Sequence, residues 1–304
     1  MNRNPFSRDN PFCLILCLWL MGVAEMSSAG TALPSISIPF LTNRGVLQQS
    51  DGGLDYGTRI DALSGGRCQV DWDDNAPSSA TNGPVESLSV ERVLDLIDHP
   101  DARNVIVYVH GYNVSLERGC REAATLAHQT GFDGRVLLFS WPASDLMVTY
   151  WQDEAMFAAS VASIFAALES VGSRIGFNRL NVVAHSMGSR LASAEMSSSS
   201  FGKRRLNHLV LVAPDIDSRI FREALPELQQ RARKLSILVS DSDRLLLLSQ
   251  IINLGGRLGR ASDFDANGVD VFDVSDFDSL GLSQHLYHLE SPQVGDVLRQ
   301  VLDE

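Results

Sequence analysis

What this chain lacks narrows its class first. It has no cluster of basic residues, and 25 Lys and Arg against 37 Asp and Glu leave a net charge of −12. A surface of that sign repels a phosphate backbone, so nucleic acid is not an expected partner. No His/Cys set has the spacing of a zinc site. Nothing matches a P-loop or dinucleotide fingerprint, and Gly255-Gly256-Arg257-Leu258-Gly259 is too irregular for a phosphate loop. No cofactor is expected. The calcium-loop pattern is only half present: Asp263, Asp265, Asn267 and Gly268 fit its start, but its twelfth position is Val274 rather than Glu. An acidic surface loop is the preferred reading there. The N-terminal apolar run, residues 12–24, is 13 residues long, short of the ~20 that span a bilayer.

That run has another use. Arg3 and Arg8 precede it and Ser27-Ser28-Ala29 follows it, which is the order of a signal peptide. Residues 1–29 are expected to be removed, leaving residues 30–304 as one domain in the periplasm or outside the cell. A membrane partner is expected only if the segment stays uncleaved as an anchor. Cys17 is a poor lipidation site, because Leu16 before it is too large. Cysteine is scarce: of four residues, Cys13 and Cys17 leave with the signal. Cys68 and Cys120 remain, as one disulfide or as two buried thiols.

The mature chain has enough apolar residues for one large core. Residues 36–42 and 68–72 read as early edge strands separated by a Gly- and Asp-rich turn. Residues 73–84 read as a polar loop and 90–97 as a short helix. Strands and helices then alternate: strands at 105–109, 135–140, 180–183, 209–212 and 235–239, helices at 116–128, 148–171, 187–196 and 220–231. A strand at 269–274 and a helix at 294–302 close the chain. This alternation predicts the α/β class, a mostly parallel sheet with helices on both faces. Met156, Phe157, Val161, Ile164 and Phe165 fall at helical spacing and read as a core face. Leu245 to Leu248, with Ile251 and Ile252, read as ordinary packing or as the wall of an acyl pocket.

The chemistry is concentrated at Ala184-His185-Ser186-Met187-Gly188. A buried strand precedes it and a helix follows it. A serine at the tip of such a turn is a nucleophile elbow, which needs small residues on both sides. Gly188 meets that need, and Ala184 stands where glycine is commoner. A nucleophilic serine needs an acid and then a histidine later in the chain. Asp243 follows the strand Leu235 to Val239, and His285 precedes the last helix. Asp241, Asp215 and Asp217 are rivals for the acid, and His288 for the base. The loop His110-Gly111-Tyr112-Asn113 ends another apolar strand. Its Tyr112 N–H and that of Met187 are the expected oxyanion donors. His110 lies too early in the chain for the base and reads as structural.

The ordered blocks around Val107-Tyr108-Val109-His110-Gly111-Tyr112-Asn113, Phe139-Ser140-Trp141-Pro142, Ala184 to Arg190, Ala213-Pro214-Asp215-Ile216-Asp217 and Asp241-Ser242-Asp243-Arg244 resemble a known set. It is that of a bacterial alpha/beta hydrolase family, long catalogued as a domain of unknown function and grouped with esterases and lipases. The resemblance runs from about Pro39 to about Leu302. It implies the alpha/beta hydrolase fold and a serine hydrolase site, with the acid at Asp243 and the histidine at His285, and it names no substrate. The expected activity is hydrolysis of a small-molecule carboxylic ester through an acyl-enzyme on Ser186. The alternatives are an acyltransferase with the same residues and a non-catalytic envelope-binding protein on the same scaffold.

Overall fold

A computed structural model describes residues 35–48, 54–72, 80–100, 103–143, 150–198, 201–260, 264–277 and 284–303. The expected signal peptide and Asp263 of the half calcium loop lie outside the described residues.

The apolar runs read from the sequence become the centre of a parallel sheet. β1 (Ser35–Gln48), β2 (Leu54–Asp71) and β3 (Thr81–Leu88) come first, then α1 (Val90–Ile97), β4 (Asn104–Val109), α2 (Leu116–Thr130) and β5 (Gly134–Ser140). They are followed by α3 (Tyr150–Ile175), β6 (Leu180–His185), α4 (Met187–Met196), β7 (Leu206–Val212), α5 (Ser218–Arg231) and β8 (Ala232–Val239). The chain closes with α6 (Arg244–Asn253), β9 (Asp270–Asp273), α7 (Tyr287–Glu290) and α8 (Pro292–Asp303). The strand order is β3-β2-β1-β5-β4-β6-β7-β8-β9. Pairing is parallel from β1–β5 through to β8–β9 and antiparallel only in β1–β2 and β2–β3.

Period-2 alternation sorts the side chains to two covered faces, which is why the strands read as unbroken apolar runs. Val105, Val107 and Val109 of β4 join the cluster containing Ile164 and Leu168 of α3, Leu191 of α4 and Phe221 of α5. Ile106 and Tyr108 join the opposite cluster, with Cys120 and Ala123 of α2 and Leu298 of α8. Helix starts are set by side-chain caps. The hydroxyl of Ser89 accepts from the Arg92 N–H, and that of Ser115 from the Arg118 N–H. Gly131, at φ 54°, ends α2 in the left-handed conformation that glycine adopts without cost.

The N-terminal half of the sheet departs from expectation. The segment read as a turn between residues 42 and 68 is mostly strand, since β1 and β2 form one long antiparallel pair. Register shifts at Thr42/Arg44 and Arg44/Val46 break the alternation that marks a strand in sequence. Arg44 also carries a charge into the interior. Its guanidinium donates to the Ser140 hydroxyl at 2.8 Å and the Val114 carbonyl at 2.5 Å. Residues 81–84, expected in a polar loop, open the edge strand β3, where Pro84 is tolerated because one side has no partner strand. Cys68 of β2 is bonded to Cys120 of α2, with Cα atoms 6.4 Å apart.

Candidate active site

The topology already points to a place. β4 is followed by β5 on one side and β6 on the other. The chain reverses direction across the sheet there, and a crevice opens at the carboxyl ends of the strands. His110-Gly111-Tyr112 leaves β4 at that point, and Ser186 leaves β6.

Ser186 is held in a strained backbone conformation, φ 53° and ψ −120°. Its N–H donates to the Val212 carbonyl at 2.9 Å, and its carbonyl accepts from Ser189 and Asp215 N–H. The close packing explains the small residues. A Cβ at Gly188 would lie 2.5 Å from the His110 carbonyl oxygen, and one at Gly111 would lie 2.9 Å from Ser186 Cβ. Ala184 is fully buried, and its carbonyl accepts the Ser189 hydroxyl at 2.7 Å. Other non-glycine residues with positive φ gather here: Asn113 at 55° and Gln284, next to His285, at 50°.

Asp243 is fully buried and caps α6. One carboxylate oxygen accepts the Leu246 N–H at 2.9 Å, and the other lies 2.6 Å from His285 Nδ1. The Nδ1 proton therefore faces Asp243, which leaves Nε2 of His285 as the acceptor. His185 fixes the same histidine from below: its Nε2–H donates to the His285 carbonyl at 3.2 Å. Burial, with His288 and His285 beside it, holds the His185 imidazole neutral, well below the usual histidine range.

The rival residues are engaged elsewhere. Asp241 is exposed. Asp215 accepts the Ser249 hydroxyl at 2.7 Å and pairs with Arg257 at 3.2 Å. Asp217 caps α5 and lies beside the Arg219 guanidinium, which lowers its pKa to about 2. His288 is fully buried, 3.3 Å from the Tyr108 hydroxyl, and burial pushes its pKa down to about 3. His110, read as structural, is fully buried and bonded within its own loop and to Trp141. Its Nε2 accepts the Trp141 N–H at 3.2 Å, its Nδ1 bonds the Gly111 carbonyl, and burial drops its pKa to about 3.

Ser186 and His285 line one cavity of about 400 Å³ together with Tyr112 and Met187. Met187 opens α4, so helix geometry leaves its N–H without an intrahelical acceptor. One wall is apolar and comes from α6 through Leu245, Leu248 and Ile252. The other carries Arg118 and Glu122, paired at 3.0 Å. The bonding partners of His185 and Arg257 had no signal in the sequence, and Asp215, a rival for the acid there, is paired with Arg257 instead. The Arg118/Glu122 pair was visible as an i,i+4 spacing on a helix, though nothing marked it as facing a cavity.

The alpha/beta hydrolases of unknown function (DUF900) match residues 88–302 of the chain. No curated protein matches it. Among solved structures, an esterase/lipase from an uncultured bacterium is 13% identical with a TM-score of 0.43, over 86% of this chain and 83% of that one. A hyperthermophilic esterase from the archaeon Pyrobaculum calidifontis is 11% identical with a TM-score of 0.43, over 88% and 85%. One of two fungal esterases from Rhizomucor miehei is 12% identical with a TM-score of 0.42, over 99% and 92%.

Proposed function

The chain belongs to the family of alpha/beta hydrolases of unknown function (DUF900), and we propose that it is a serine hydrolase of carboxylic esters. The observation that carries this reading is the 2.6 Å contact of buried Asp243 with Nδ1 of His285, whose cavity the strained Ser186 also lines. Ser186 Oγ attacks the ester carbonyl carbon while His285 Nε2 takes its proton. The negative charge that develops on the carbonyl oxygen is met by the Met187 and Tyr112 N–H groups. Asp243 stabilises the imidazolium. The intermediate collapses, the alcohol leaves with the proton from His285, and an acyl-Ser186 ester remains. A water molecule, deprotonated by His285, then releases the acid and regenerates the serine.

A fluorophosphonate probe tests this. It should label the wild type and not Ser186→Ala, with both proteins unfolding at similar temperature. Equal labelling of the two would refute the assignment. Turnover of p-nitrophenyl esters should fall by about 10⁴–10⁶ in the same variant. The reading includes export: the Cys68–Cys120 bond suits an oxidising compartment. N-terminal sequencing of the cell-derived protein should then begin near Gly30.

A further inference from the structure

Helix α6 is built inside out. At ~100° per residue, half-buried Ser249 and Gln250 flank Leu246 on the inward side of the helix, and Asn253 at its last position is exposed. Leu246 alone among its apolar residues is buried. The outward arc carries Leu245, Leu247, Leu248, Ile251 and Ile252, between 41% and 62% exposed, and Leu254 beyond the helix end is 90% exposed. A surface helix of a soluble domain places these classes the other way round. An exposed apolar patch of this kind marks a binding surface.

The arc divides into two stripes. Leu245, Leu248 and Ile252 line the cavity that holds Ser186. Leu247 and Ile251, at i and i+4, and Leu254 beyond the helix end are exposed and are not among its lining residues. Past exposed Arg244 in the first turn, apolar surface therefore runs from solvent, over one helix, into the cavity. A small soluble ester would use the inner stripe and have no need of the outer one. The outer stripe suits a substrate whose chain arrives from an apolar phase. The net charge of −12 disfavours an anionic lipid surface for the molecule as a whole, although α6 itself carries the cation Arg244.

We infer that the substrate is a long-chain ester carried in an uncharged or zwitterionic lipid aggregate, an inference that rests on the hydrolase reading above. The outer stripe of α6 docks on the aggregate, and the inner stripe receives the acyl chain as it leaves it.

The test uses the purified protein and its Leu247→Ser/Ile251→Ser variant, which leaves the cavity lining intact. Phosphatidylcholine vesicles carrying p-nitrophenyl palmitate report docking by flotation and turnover by released nitrophenol. The wild type should float with the vesicles. In the variant, bound fraction and palmitate turnover should fall at least about tenfold. Its turnover of soluble p-nitrophenyl acetate should stay within about twofold, as for a surface change. A wild type that stays in solution, or a variant that floats equally well, overturns the docking surface. A dimer seen by light scattering, lost in the variant and unaccompanied by flotation, assigns the stripe to a second copy of the chain and overturns the proposal as well. Absence of both palmitate and acetate turnover in the wild type refutes the hydrolase reading itself, and the substrate half of the inference with it.

Discussion

Acid should unfold this protein early, because it buries neutral imidazoles. His110 and His288 are fully buried with pKa values near 3, and His208, under burial and the Lys234 charge, sits at about 4. In the unfolded chain each returns to about 6.5. Between pH 6.5 and these folded values the unfolded state binds more protons, so stability falls as pH falls. At pH 5 the loss relative to pH 7 is about 2 kcal/mol per histidine, or about 6 kcal/mol for the three. His185 is shifted in the same direction and adds to it. Glu122 opposes it, since burial raises its pKa and protonation then favours the folded state. A loss of that size rivals the whole stability of a typical domain. Urea unfolding followed by tryptophan fluorescence at pH 7 and pH 5 measures it. His288→Gln keeps a donor for the Tyr108 hydroxyl and removes one titration. Its pH 7-to-5 loss should be smaller than that of the wild type by about 2 kcal/mol. An identical loss in the two proteins would refute the assignment of a buried neutral imidazole at residue 288.

Three further outcomes follow from the same geometry. Asp243→Asn should lower kcat by about 10⁴ with little change in Tm, since Asn caps a helix as well as Asp does; Asp241→Asn, at an exposed site, should change p-nitrophenyl ester turnover by no more than about threefold, and the reverse order would move the acid to Asp241. Replacing Cys68 and Cys120 by Ala opens a closed loop of 52 residues and should cost about 4 kcal/mol in guanidinium unfolding under oxidising conditions. Gly188→Ala places a methyl carbon 2.5 Å from the His110 carbonyl oxygen and 2.6 Å from that of Val109. It should destabilise by about 1–3 kcal/mol and slow fluorophosphonate labelling, because the backbone must move at the turn that presents Ser186.

The parallel half of the fold was legible because its signals are local. β4, β6, β7 and β8 are covered on both faces, so each appears as an unbroken apolar run bounded by turn residues. The antiparallel extension hides its pattern. β1 and β2 carry two register shifts and an inward arginine, β1 is buried on consecutive residues from Ile38 to Gly45, and the outer part of β2 faces solvent, so no alternation appears. β3 contains proline and mostly exposed or half-buried residues, which locally resemble a loop.

The site divides along the same line. Ser186 was legible because strand, turn and helix are contiguous and sterically demanding. Chain order asked for an acid and then a histidine, the family resemblance placed them at Asp243 and His285, and Asp241 and His288 stayed as rivals. Only the fold places Asp241 in solvent and His288 beneath the Tyr108 hydroxyl. The least legible property is the orientation of α6. The run Leu245-Leu246-Leu247-Leu248 looks like core in any sequence, because apolar residues usually are core. Whether it is core depends on how much surface the rest of the chain brings to cover it, and here that surface reaches Leu246 alone. A sequence records which residues prefer to leave water. The topology decides which of them do, and at α6 the residue types and their burial disagree beside the cavity that Ser186 lines. That disagreement is where the sequence had least to say and where the fold has most to say about substrate.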